Sequence, residues 1–253
     1  MRLILTGATG AAGLNIYRAA LNDPAVERVT LLLRRDIPSW AVLPSNAPEK
    51  TNTIIQSDFS TYSSETVQKL AQHDAIIWAQ GTSSNGVNEA DYTRITYDYP
   101  MAMLKALLDG DVGAGRSADK PFRFIYVSGE SADETEKGRQ MWARVKGRAE
   151  NHITKACEDT PGMQAFIMRP GGFRPSQLYP ADGEHQHQHG WTGTFVRVAW
   201  PALRLTMPNM LISPEQIGVS SLALAKGLYP EQRLFRNAQL LEIAKKLGAN
   251  SKA

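Results

Sequence analysis

The sequence predicts an α/β chain built on a doubly wound parallel sheet, and three observations carry that prediction. A short apolar run opens the chain, stops at the glycine-bearing loop Thr6-Gly7-Ala8-Thr9-Gly10-Ala11-Ala12-Gly13, and is followed at once by an alanine-rich, helix-favouring stretch. Further apolar runs then alternate with helical segments, the pattern of strands joined by crossover helices with both sheet faces covered. Gly7, Arg34, Asp58, Gln80 and Ser128 all fall where strands should end, the edge at which such sheets bind ligands.

The first strand, residues 2–6, should turn at Gly7 through positive φ. Gly10 would let the backbone approach an anion, and Gly13 would let the helix at 11–21 pack closely on its strand. The helix N-terminus supplies free N–H groups and partial positive charge. A second strand at 28–33 completes the βαβ unit that gives this glycine spacing its meaning as a dinucleotide pyrophosphate cradle. Its candidate contacts are Thr6, Gly7, Thr9, Gly10, Ala11, Ala12 and Gly13. The second strand ends in Arg34-Arg35, with Asp36 after them. Guanidinium matches phosphate through planar bidentate hydrogen bonds, so the expected cofactor is NADP(H) rather than NAD; the bland alternative is a pair of solvated arginines.

Residues 36–50 hold Pro38, Pro44 and Pro48 and read as irregular. A third strand at 53–56 leads to Asp58, placed either to meet the adenine ring or to cap the following helix at 66–72. A buried strand at 74–79 ends at Gln80-Gly81, where the backbone would pass the ribose. A long helix should run from 88 to 108, disturbed by Pro100, and a polar loop at 109–120 should lead to a strand at 122–127 ending in Ser128-Gly129.

Composition supports a single domain over 1–253: 253 residues, 42% apolar, formal charge +3 and no basic block of the kind that marks a nucleic-acid tail or a membrane anchor. Cys157 alone rules out an internal disulfide and fits a reducing compartment as a small packing residue on a helix. With no signal-peptide pattern and no apolar run of about 20 residues, the expected location is cytoplasmic, and the expected partner is a small-molecule substrate rather than nucleic acid or membrane. Nothing in the sequence indicates the oligomeric state.

The segment from Ser128 to Glu150 adds a strand ending in serine and a helix carrying Lys146-Gly147-x-x-Glu150. With the N-terminal loop, Met168-Arg169-Pro170-Gly171-Gly172-Phe173 and Ser213-Pro214-Glu215-Gln216-Ile217-Gly218, these motifs resemble the short-chain dehydrogenase/reductase superfamily over essentially the whole chain. The resemblance is strongest to small atypical members of the epimerase-like and Tat-interacting-protein-like kind. It implies an NAD(P)-binding Rossmann domain in which a serine orients the substrate oxygen. A lysine holds the nicotinamide ribose, and a tyrosine four residues before that lysine is the general acid or base. Carried over by position, the serine is Ser128, or Ser131 in a shifted loop, and the lysine is Lys146. The tyrosine position is Trp142, whose indole has no proton to exchange at neutral pH. A positioned general acid or base is worth about 10²- to 10⁴-fold, so hydride transfer survives if another group or water supplies the proton. Trp142 reads equally as packing or as a stacking wall for substrate; Glu130 and Asp133 are candidate substitutes for the missing acid. By resemblance, Pro170 and Gly171 after a strand at 163–168 contact the cofactor.

Residues 171–212 form an expected substrate-covering part, with Tyr179, Trp191, Phe195 and Trp200 as its aromatics. His185, His187 and His189 alternate with glutamines in a polar stretch without metal-site scaffolding, so a surface loop and no metal are expected. Helices are predicted at 214–226 and 237–247. The functional expectation is an NADP(H)-dependent oxidoreductase-like protein with an altered catalytic centre, acting on a small apolar or aromatic carbonyl, enone or iminium. The alternatives are an NADP(H)-binding regulator without turnover and a non-redox isomerase or cyclase.

Overall fold

Strand residues in this chain divide their side chains between two apolar clusters with period two. Leu3 and Leu5, Val29, Leu31 and Leu33, Ile77, Ile125, and Phe166 with Met168 face one cluster. Ile4, Leu32, Ile76 with Trp78, Phe124 with Tyr126, and Ala165 with Ile167 face the other. Such a chain can bury itself only as a central sheet covered twice. The computed structural model, which describes residues 1–186, 206 and 208–249, has that architecture.

Strands β1 (Arg2–Thr6), β2 (Arg28–Leu33), β3 (Thr51–Ile55), β4 (Ala75–Trp78), β5 (Phe122–Val127), β6 (Met163–Arg169) and β7 (Leu234–Arg236) form one sheet in the order β3-β2-β1-β4-β5-β6-β7. Every pairing is parallel. The order reverses between β1 and β4, which places a crevice at the carboxyl ends of those two strands. Helices α1 (Ala11–Asn22), α8 (Pro214–Ala225) and α9 (Asn237–Lys246) cover one face; α3 (Ser64–Leu70), α5 (Tyr99–Asp109) and α6 (Met141–Glu158) cover the other. Short helices α2 (Ala47–Lys50), α4 (Glu89–Thr93) and α7 (Pro180–His185) lie in the connections.

Several local expectations change. The helix expected over 88–108 carries a π-helical turn at Arg94–Asp98 between α4 and α5. Pro100 explains it: proline has no N–H to give the carbonyl four residues back, and the Tyr126 hydroxyl takes up the Thr96 carbonyl at 2.9 Å instead. Asp58 does not cap α3, because the Ser63 hydroxyl accepts the Thr66 N–H in that role. Strand β7 has no counterpart among the expected elements; three residues pairing with β6 are too short for a periodic signal. His185, expected in a loop, ends α7 and stacks on Trp40 with ring centroids 4.8 Å apart. Cys157 is buried on α6, as expected, and burial pushes its thiol up to about 12. Trp191, Phe195, Trp200, His187 and His189, and with them nearly half of the expected lid, lie outside the described residues.

Candidate active site

The glycine loop has the geometry its spacing implies. Gly7 takes φ +71°, and a Cβ there would lie 2.4 Å from the Ala79 carbonyl oxygen, so the turn needs glycine both for conformation and for its close pass beside the end of β4. At Gly13 a Cβ would come within 2.1 Å of the Gly7 oxygen, which fixes how closely α1 seats on its own loop. Gly10 differs: only the Gly7 oxygen, at 3.5 Å, is near its missing Cβ. Gly10 is exposed and caps α1 without a side-chain hydrogen bond, and the first turn of that helix holds no acidic residue. The first N–H groups of α1, at Ala11, Ala12 and Gly13, therefore have neither a side-chain cap nor an acidic residue in their own turn. The Thr6 hydroxyl is buried at the strand end without a partner among the described residues. Orphan donors, an open glycine face and a helix N-terminus suit an anionic dinucleotide.

Arg34 and Arg35 follow β2, exposed and without an ion pair among the described residues. Asp58 is exposed beyond β3; the Ser60 N–H that it accepts at 2.8 Å holds its carboxyl below the ordinary range. Gln80 and Gly81 follow β4, and Gly81 has nothing within 4 Å of its Cβ position.

Across the crevice, β5 ends at Ser128. Its N–H continues the sheet ladder to Met168 O at 2.8 Å, while its buried Oγ has no partner among the described residues. Lys146 on α6 donates to the Ser128 carbonyl at 2.7 Å and passes over Gly129, where a Cβ would lie 3.2 Å from Nζ. Burial lowers the Lys146 ammonium to about 8, with the negative charge of Glu150 acting in the opposite sense. Trp142 stands one helical turn before Lys146 and is half-buried. Ser131 lies further along the loop and is exposed.

The two carboxylates considered as substitutes for a catalytic acid are already engaged. Glu130 accepts from Arg236 Nε at 2.7 Å and from the Asn237 N–H at 2.8 Å. Asp133 accepts from the Thr135 hydroxyl at 2.6 Å and from the Gly138 N–H at 2.7 Å, contacts that hold its carboxyl below its usual range. Both brace the loop between β5 and α6. Gly171 likewise has a packing reason to be glycine: a Cβ would meet Met210 O at 2.2 Å, and its N–H donates to Asn237 Oδ1 at 2.7 Å. Pro170 is buried, and its carbonyl accepts the Glu130 N–H at 3.0 Å.

Three features near the site carry no signal in the sequence. Arg18 and Asp182, buried and far apart in the chain, pair through two hydrogen bonds of 2.6 and 2.8 Å, with the Tyr179 ring under the guanidinium at 3.6 Å. Gln186 then reaches the Thr9 carbonyl at 3.4 Å. Asn237 joins the Gly171 loop to Asn209 and Leu211. Tyr179, one of the aromatics of the expected lid, packs against Arg18 of α1.

No family model matches the chain. It is similar to leucinostatins biosynthesis cluster protein T of Purpureocillium lilacinum, 29% identical over 70% of this chain and 60% of that protein, so the likeness spans less than two thirds of the relative. It is 28% identical to the mitochondrial protein FMP52 of Candida albicans over 75% of this chain and 71% of that protein. An oxidoreductase of the short-chain dehydrogenase/reductase family from Burkholderia thailandensis superposes with a TM-score of 0.63 at 16% identity, covering 100% of this chain and 98% of the other. The chain has the short-chain dehydrogenase/reductase fold. The RhlG/NADP active-site complex of Pseudomonas aeruginosa shares that fold with a TM-score of 0.62 and 18% identity over 95% of this chain and 96% of the other. In this fold the glycine loop follows β1 and Ser128 follows β5, both at the carboxyl edge of the sheet, with Lys146 tied to the Ser128 carbonyl.

Proposed function

We propose that the chain is an NADP(H)-dependent oxidoreductase-like protein, an atypical short-chain dehydrogenase/reductase, acting on a small apolar or aromatic carbonyl, enone or iminium. The observation that carries this reading is the buried Ser128 hydroxyl, without a partner among the described residues, beside the anchored ammonium of Lys146. A buried hydroxyl without a partner costs free energy that a bound oxygen would recover. The bound nicotinamide would supply or accept a hydride. The chain would do the rest: Thr6, Gly7, Thr9, Gly10 and the α1 N-terminus bind the pyrophosphate, and Arg34 and Arg35 the 2′-phosphate. Asp58, Gln80 and Gly81 flank the adenosine, Pro170 and Gly171 the nicotinamide. Lys146 holds the ribose with the N–H donors that Ser128 leaves free, and Ser128 Oγ orients the substrate oxygen. Trp142 walls the site but has no proton to exchange at neutral pH, so the proton comes from the ammonium of Lys146 or from water.

Titration of the protein with NADPH and NADH by fluorescence, followed by a carbonyl and enone screen of wild type and Trp142→Tyr, tests this. Turnover in wild type supports the enzyme; failure to bind either nucleotide removes the reading. Trp142 also favours a second reading, an NADP(H)-binding regulator, and binding without turnover in wild type but activity in Trp142→Tyr would support it.

A small molecule, rather than nucleic acid or membrane, is the proposed partner. Among the described residues no helix is long and apolar enough to cross a membrane. A cytosolic location is proposed on the free thiol of Cys157.

A further inference from the structure

Glu150 lies one helical turn beyond Lys146 on α6, the spacing at which a carboxylate and an ammonium ordinarily pair. They do not pair here. Arg169, the last residue of β6, is buried beneath α6 and takes Glu150 instead: Nε donates at 3.0 and 3.1 Å to the two carboxylate oxygens, and a second nitrogen makes a further close contact. The same nitrogen reaches Glu134 of the β5–α6 loop at 2.6 Å. A planar guanidinium fork fits a carboxylate better than an ammonium does.

We infer that Arg169 is a positioning residue for Lys146: by holding Glu150 it withholds that carboxylate from the ammonium, which stays committed to the Ser128 carbonyl. The inference rests on the proposed role of Lys146 and adds the device that keeps it available. The other charged and titratable groups around α6 are engaged elsewhere. Glu130 pairs with Arg236, Asp133 holds its own loop, and Glu89 of α4 holds Arg144. Glu136 holds Arg148, and Tyr97 of the π-helical turn meets His152. Tyr92 of α4 and Tyr126 of β5 are buried, and burial raises both phenols. Among the described residues, Glu150 is thus the carboxylate able to act on Lys146, and Arg169 controls it.

The test follows the protonation of Lys146 in the unliganded protein, from the pH dependence of its acylation rate resolved by peptide mass spectrometry. Arg169→Met frees Glu150 for Lys146 and should raise the midpoint by about one unit. Glu150→Gln removes the field that supports the charged amine and should lower the midpoint. The double variant should follow Glu150→Gln. A merely structural role would loosen the site in both single variants and move both midpoints upward, or move neither; either result overturns the inference. Glu150→Gln keeps the side-chain shape and the Arg169–Glu134 contact, so if Arg169→Met does not fold, a lowered midpoint in Glu150→Gln alone supports the inference and an unchanged or raised one overturns it. Failure of wild type to bind NADPH would remove the proposed function while leaving these shifts intact, so the two readings fail separately.

Discussion

Lys146 Nζ and the Ser128 carbonyl oxygen stand 2.7 Å apart, a hydrogen bond that ties helix α6 to the carboxyl end of strand β5. It places a half-buried ammonium beside a hydroxyl that has no partner among the described residues. A group held this way shows itself in stability as well as in chemistry.

Burial lowers Lys146 from 10.5 to about 8, so between those values the unfolded chain binds more protons than the folded one, and stability rises with pH there. The penalty of burying the charge is fully present below about pH 8 and gone near 10.5. Lys146→Met should therefore stabilise the fold by about 1–3 kcal/mol at pH 7, offset by about 1 kcal/mol for the lost hydrogen bond. Thermal melts at pH 7 and pH 10 check this; a difference between variant and wild type that does not shrink with rising pH would contradict it.

Gly10 and Gly13 should separate binding from folding. Gly13→Ala drives a Cβ to within 2.1 Å of Gly7 O and should cost about 1–3 kcal/mol or more. Gly10→Ala meets only one atom, at 3.5 Å, and should cost no more than about 1 kcal/mol, for the poorer N-cap, while weakening NADPH at least tenfold. Equal nucleotide affinity in Gly10→Ala and wild type would place the pyrophosphate elsewhere.

Arg34 and Arg35 are exposed, so replacing them should leave the fold intact. Together, Arg34→Ala and Arg35→Ala should weaken NADPH far more than NADH, as charge-assisted contacts to a 2′-phosphate are each worth about 1.5–3 kcal/mol. Parallel titrations read this directly, and equal losses for the two nucleotides would remove the assignment.

Asp182→Ala leaves the Arg18 guanidinium buried without its carboxylate and should cost about 3–5 kcal/mol. Arg18→Met combined with Asp182→Leu should recover much of that loss. Denaturant unfolding monitored by tryptophan fluorescence measures both, and a loss under 1 kcal/mol in Asp182→Ala would mean that α7 is not anchored through this pair.

The sequence by itself determined the sheet and the glycine loop at its carboxyl edge. Period-two apolar runs, crossover helices and the Gly7, Gly10 and Gly13 spacing are local signals, because each depends on residues within a turn or a strand of one another. Ser128, or Ser131, and Lys146 come from the resemblance of their motifs, and the fold ties Lys146 to the Ser128 carbonyl. Tertiary structure decided what those residues meet. Glu130 became a loop brace because the packing of the fold brings Arg236 and Asn237 to it, whereas Asp58 lost the cap to Ser63 and Asp133 is held by Thr135 and Gly138 through contacts local to their own segments. Arg18–Asp182 and Arg169–Glu150 were invisible in advance, since a buried ion pair between distant segments has no spacing to read. Hydrophobic periodicity is written along the chain. The partner of a buried charge is set only when two elements close over it.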